Sequence, residues 1–114
     1  LNQEEISVSN LSSKFESTLV TGIPAKQNYT DKEFKDMIID FQEWKKIRMI
    51  GSAAMASVYV ASGKAETYKE NGIFLWDIAA GAAIVNAAGG LTSIENLQPD
   101  FRVDAKFTNS NLGL

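Results

Sequence analysis

The order of apolar and polar positions divides this chain into alternating strands and helices. Residues 17–21, Ser-Thr-Leu-Val-Thr, form a short β-branched run and predict a strand closed by the Gly22-Ile23-Pro24 turn. Thr30-Asp31-Lys32-Glu33 has capping-box spacing, and Phe34, Met37, Ile38, Phe41 and Trp44 then recur at helical intervals. That stripe is expected to face the core, as the apolar side of an amphipathic helix does. Residues 46–50 predict the next strand, and residues 52–62 a helix of small and apolar residues that stops at Gly63. A strand over 65–70 leads through Asn71-Gly72 to a second small-residue helix over 77–88, which stops at Gly89-Gly90. Strands over 91–94 and 103–108 complete the pattern.

Strands alternating with helices predict an α/β fold: a layered domain with a five-stranded, largely parallel mixed sheet flanked by helices. In open sheets of this kind, ligands gather beyond the carboxyl ends of the strands. Gly51-Ser52 follows one predicted strand and Asp77 lies soon after another. Both helix mouths are therefore expected to look into one crevice, with amides available to an anion.

Asp77 is the most pointed piece of chemistry. The 77–88 helix is otherwise made almost wholly of small and apolar residues, which predicts a buried helix, and Asp77 stands at its mouth beside Trp76. Two roles fit a carboxylate there. One is an N-cap that accepts bonds from the first free amides and suits the positive end of the dipole. The other is an oxygen ligand to a hard cation. Both can hold together, since a carboxylate has two oxygens. Gly51 suits a strand-to-helix turn through backbone freedom alone, and Ser52 is an ordinary N-cap residue. Glu70, taken alone, reads as a solvated carboxylate at a strand end. Asp31, Asp36, Asp40, Asp100 and Asp104 read as surface charge.

Composition narrows the classes. With 114 residues, 45% of them hydrophobic and 22% charged, the chain is long enough for one modest core and shows no sign of disorder. A net charge of −3 gives no electrostatic footprint for nucleic acid, and only Lys45-Lys46 with Arg48 forms a short basic cluster. The longest nearly apolar run, residues 72–88, is broken by Asp77 and Asn86 and is shorter than the ~20 residues that span a bilayer, so no membrane partner is expected. There is no cysteine, which suits a reducing compartment and a cytoplasmic location. There is no histidine, which removes the usual general base and the commonest zinc ligand.

Several pieces of the chain recur together in one family. Gly51-Ser52-Ala53-Ala54 opens a small-residue helix, Glu70 lies seven residues before Asp77, and Trp76-Asp77-Ile78-Ala79-Ala80-Gly81 leads on to Ala88-Gly89-Gly90. In this order they resemble the C-terminal half of the inositol monophosphatase family, and the resemblance runs from about Leu11 to Asn111. Thr21-Gly22-Ile23-Pro24 is similar to the Thr-Gly-Phe-Pro turn of bacterial members. Two positions depart from the family pattern. Ala87 stands where a Glu usually precedes Ala-Gly-Gly, and Met55-Ala56 stands where Leu-Asp often follows Gly-Ser-Ala-Ala. Neither touches Asp77.

The resemblance implies that Asp77 binds a catalytic Mg2+ and also contacts substrate. It implies that Glu70 reaches a substrate hydroxyl, and that Gly51, Ser52 and Ala53 form a close-approach wall of the substrate pocket. Residues 1–114 are then the C-terminal domain of a phosphomonoesterase that hydrolyses a small phosphorylated polyol, sugar or nucleotide with a metal-activated water. The family's other metal ligands come from a Glu and an Asp-Pro-Ile-Asp-Gly-Thr motif in the N-terminal half, and no such motif occurs here. The chain is therefore expected to hold no complete catalytic set, to be inactive alone, and to have the missing N-terminal half of the same protein as a partner. The resemblance further implies a lithium-sensitive homodimer. The competing expectation, from another class, is a non-catalytic interaction or regulatory domain that keeps the fold. A module that binds anions at its helix mouths without metal is a third.

Overall fold

Five strands and three α-helices follow one another along residues 6–22 and 29–114, the part of the chain that the computed structural model describes. They are β1 (Thr18–Thr21), α1 (Asp31–Phe41), β2 (Lys46–Met49), α2 (Ala53–Ala61), β3 (Thr67–Phe74), α3 (Leu75–Ala87), β4 (Leu91–Glu95) and β5 (Arg102–Thr108). Each lies where the apolar pattern predicts an element. The turn expected at Gly22-Ile23-Pro24 falls largely outside the described residues.

The strands form one mixed sheet in the order β2-β1-β3-β5-β4. β1 pairs in parallel with both β2 and β3, while β3–β5 and β5–β4 are antiparallel. The five-stranded mixed sheet is thus as expected, but it is half rather than largely parallel, because β5 and β4 add to it in antiparallel pairings and only the β2 side is parallel. Parallel neighbours require crossovers, and these are right-handed. The chain steps one way from β1 to β2 and back past β1 from β2 to β3. Two right-handed crossovers in opposite directions put α1 and α2 on opposite faces of the sheet.

That topology decides where the core sits. Val20, Tyr68, Val103 and Phe107 from the sheet pack with Val60 of α2 and Ile78 and Val85 of α3 in one buried cluster. α2 and α3 approach each other closely, because Gly81 leaves room for Ser57, whose hydroxyl turns back to donate to the Ala53 carbonyl at 2.8 Å. The other face of the sheet is more polar. The Thr67 and Thr108 hydroxyls meet there at 2.9 Å, and Lys69 and Lys106 lie opposite each other on neighbouring strands.

Helix α1 departs from expectation for this reason. Its capping box is present: Thr30 Oγ1 accepts the Glu33 amide at 3.1 Å, and Glu33 accepts the Thr30 amide at 3.3 Å. Yet no residue of α1 is buried, and Phe34 and Ile38 are 45% and 52% exposed. Of the predicted stripe only Trp44, beyond the helix, is in the core. The helix faces the polar side of the sheet, stands off it across a cavity of about 310 Å³, and is tied to β3 by an Asp40–Lys69 ion pair of 2.6 Å. Leu19 aside, the stripe has a polar floor beneath it.

Helix α3 corrects two further expectations. It starts at Leu75, directly from the end of β3, so its N-cap position is Phe74, which makes no side-chain cap bond. The Leu75 amide instead donates to the Phe101 carbonyl at 2.9 Å. Asp77 is therefore not the cap; it is the third residue of the helix. Nor is α3 buried all round. Ile78, Gly81, Ala82 and Val85 face the core, while Trp76 is 63% exposed and Ile84 39%. A wholly apolar helix can be buried on every side, but here the sheet and α2 cover only one.

β3 also runs four residues beyond its expected end at Glu70, because β5 keeps pairing with it as far as Phe74 after an irregularity between Glu70 and Ile73. Asp104 holds that bulge by accepting the Gly72 amide at 3.1 Å and the Asn96 side-chain amide at 2.8 Å. Asp104, Asp40 and Asp100 thus have specific partners, where plain surface charge was expected. Asp31 and Asp36 are exposed as expected.

Candidate active site

Beyond the carboxyl ends of β1, β2 and β3 opens a cleft of about 880 Å³. All five residues singled out from the sequence line it: Gly51, Ser52, Ala53, Glu70 and Asp77. Two residues not singled out for the site, Gly22 and Arg102, line it as well.

One wall is the mouth of α2. Gly51 turns the chain out of β2 with φ +76°, a left-handed backbone that favours glycine. Ser52 is the N-cap, its Oγ accepting the Met55 amide at 3.2 Å. This leaves the first amides of α2 pointing toward the cleft, the arrangement that favours an anion.

The facing wall is acidic. Glu70 leaves β3 on the same side as Tyr68, two residues earlier, and the Tyr68 hydroxyl donates to Glu70 Oε1 at 2.9 Å. Tyr68 is almost wholly buried, so it fixes the carboxylate from below. Gly22 makes room for it: a Cβ there would sit 2.6 Å from Glu70 Oε1 and 2.8 Å from its Cδ. Burial raises the Glu70 pKa above the ordinary carboxylate value, and the charge of Asp77 adds to the rise, while the bond from Tyr68 opposes it. Burial also raises the Tyr68 pKa, reinforced by Glu70, so the phenol stays a donor.

Glu70 binds its proton more tightly folded than unfolded, so its contribution to stability is full below the unfolded pKa and is lost as pH rises through the folded one. Two substitutions separate the causes. Asp77→Asn is expected to lower the Glu70 pKa by removing a like charge, and Tyr68→Phe to raise it by removing a bond to the ionised form. Carboxyl-carbon NMR titration of Glu70 reads both shifts. Movement in the same direction would refute this account of the acidic wall.

Asp77 projects from the first turn of α3 and is exposed at the cleft. With Glu70 it offers hard oxygen donors of the kind magnesium takes. Among the described residues no group of three or more His, Cys, Asp or Glu could hold a metal ion. The donor type fits magnesium; the number falls short of its octahedral shell.

Arg102 opens β5 and pairs across the sheet with Phe74. No local pattern announces it, because it reaches the cleft only through the β3–β5 pairing. Tyr68 could have been found, since two residues on one strand share a face.

In sequence and in fold the chain is similar to known proteins. The profile of the inositol monophosphatase family matches residues 1–108. The chain is 39% identical over 92 residues to a protein of Pasteurella multocida named Nus factor SuhB, covering 80% of this chain and 34% of that protein. It is 37% identical over 100 residues to the inositol-1-monophosphatase of Synechocystis, covering 87% of this chain and 35% of that one. The solved inositol monophosphatase of Anabaena superposes with a TM-score of 0.80 at 31% identity, over 97% of this chain and 45% of that one. The chain spans about a third of the length of these curated relatives. No helix among the described residues is long and apolar enough to cross a membrane. By sequence profile, by identity to its relatives and by fold, this chain belongs to the inositol monophosphatase family.

Proposed function

We propose that this chain is the C-terminal half of a magnesium-dependent phosphomonoesterase acting on a small phosphorylated polyol, sugar or nucleotide. One observation carries the reading: residues scattered from Gly51 to Asp77 line a single cleft at the carboxyl ends of the parallel strands. In this reading the free amides at Ser52 and Ala53 meet the oxygens of the substrate. Glu70, held by Tyr68 and given space by Gly22, accepts a substrate hydroxyl. Asp77 is the magnesium ligand on this half. Magnesium bound there would supply an activated water and neutralise charge on the phosphoryl oxygens.

Glu70 and Asp77 cannot complete the shell that magnesium requires. Phosphate monoesters are among the slowest substrates to hydrolyse unaided, needing up to ~10²¹-fold acceleration. The remaining ligands are therefore proposed to lie in the part of the protein beyond this chain. The test is phosphate release from inositol 1-phosphate with and without Mg2+, run on the full-length protein and on this chain alone. The full-length protein is expected to turn over only with Mg2+, and the chain alone to release nothing above the uncatalysed rate. Turnover by the chain alone would refute the division of ligands.

A second reading has its own support. The Pasteurella multocida relative is named a Nus factor, and the outer side of α2 and α3 exposes Met55, Trp76 and Ile84. On that reading the domain keeps the fold for interaction or regulation, and the full-length protein releases no phosphate under any metal.

A further inference from the structure

Arg102 is the one cation among the described residues that line the cleft, and it faces a site whose other charges are Glu70 and Asp77. It pairs with neither. Its ion pair is with Asp100, two residues back, whose Oδ2 lies 3.3 Å from Arg102 Nε and whose Oδ1 accepts the Arg102 amide at 3.2 Å. The guanidinium carbon sits 4.9 Å from the centre of the Phe74 ring, which is itself stacked on Trp76 at 4.8 Å and 7°. A guanidinium braced by a carboxylate and an aromatic face loses little further freedom on binding.

The backbone before it is equally fixed. Phe101 has φ +67°, a left-handed conformation that is costly for a bulky residue. Two hydrogen bonds hold it there, from its own amide to the Gln98 carbonyl at 2.9 Å and from the Leu75 amide to its carbonyl at 2.9 Å. The strain fixes the direction in which Arg102 leaves the turn, on the rim of the cleft.

Its donors are unspent. Nε is buried yet lacks a hydrogen bond, because the Asp100 contact is misaligned. Among the described residues no acceptor meets either Nη group. The side chain is 35% exposed, and the planar fork of its guanidinium fits an oxyanion. Along β3, Arg102 is opposite Phe74 while Glu70 pairs with Ala105. Three residues of β5, at ~3.3 Å each, therefore separate its level from that of Glu70, the extra residue of β3 being taken up in the bulge.

We propose that Arg102 is a specificity-determining residue that holds an anionic group of the substrate other than the phosphoryl group that is cleaved. This rests on the phosphomonoesterase reading, in which the reacting phosphoryl lies at Asp77. A substrate with a second phosphate or carboxylate would meet the free donors of Arg102 with charge, and a polyol that carries only the reacting phosphate would leave them to solvent.

The test measures binding to the full-length protein with Mg2+ by calorimetry, using butylphosphonate and butane-1,4-bisphosphonate, whose carbon–phosphorus bonds are not hydrolysed. Wild type is expected to bind the bisphosphonate more tightly. Arg102→Ala should weaken the bisphosphonate about 10- to 100-fold, the range of hydrogen bonds to a charged group, and leave the monophosphonate unchanged. Arg102→Lys, which keeps the stem and the charge but not the fork, should recover part of the loss and serves alone if the alanine variant does not fold. Equal weakening of both probes, or no weakening of either, overturns the proposal. Phosphate release from inositol 1-phosphate by the wild-type protein reports separately on the phosphomonoesterase reading. Selective loss of the bisphosphonate without any turnover would keep Arg102 as an anion site and remove the enzyme.

Discussion

Asp77→Asn in the full-length protein is expected to abolish most magnesium-dependent phosphate release while leaving the fold intact. A carboxylate in this position has few structural duties. It is not the N-cap of α3, it is exposed, and the first amide of the helix, that of Leu75, is already taken by the Phe101 carbonyl. What remains for the fold is its charge near the positive end of the helix, worth about 0.3–1 kcal/mol at an exposed position. Asn keeps the size and one oxygen, so thermal unfolding should shift by no more than that term. The loss to a hard cation is larger, since the negative charge is what draws it. Changes one shell out from a metal already cost ~10–100-fold in affinity or activity, and a direct ligand should cost more. A magnesium titration of activity and a melt on the same preparation separate the two effects. A variant with wild-type turnover and an unchanged magnesium requirement would remove Asp77 from the chemistry.

The elements were legible where local pattern and tertiary setting agree. Small-residue stretches opened and closed by Ser52, Gly63 and Gly89 became helices, and short β-branched runs became strands. The residues that line the cleft were legible because they cluster at helix mouths and strand ends, where α/β folds place their ligands. The misses share a cause, which is that distant partners decide them. The stripe of α1 has ideal spacing, but whether it is buried depends on which face of the sheet the crossover delivers it to. The strand is expected to end before Asn71-Gly72, yet β5 pairs on both sides of these residues and Asp104 holds them as a bulge. Asp77 has the look of a cap, but a carbonyl from Phe101 already serves the helix end. Arg102 carries no signal until β5 is laid beside β3.

Gly81→Ala is expected to destabilise the protein, although alanine is the better helix former by about 1 kcal/mol. The deciding contact is between α2 and α3. A Cβ on Gly81 would collide with Ser57 Oγ and come within 2.7 Å of Ser57 Cβ. A hydroxyl can rotate away, though Ser57 would then give up its 2.8 Å bond to the Ala53 carbonyl. A Cβ cannot rotate, so the helices must move apart. Both lie on the buried cluster of Val60, Ile78 and Val85, and spreading them loosens that core. Overpacking of this kind costs about 1–3 kcal/mol, and a clash with a backbone-fixed atom belongs at the upper end, which exceeds the propensity gain. The mouths of both helices line the cleft, so activity should fall along with stability. Removing the opposing Cβ with Ser57→Gly should return part of the lost stability in the double variant, though not in the wild-type background. Chemical denaturation of the four proteins in that cycle measures the coupling. Additive effects would mean that the helices do not meet where Gly81 and Ser57 place them.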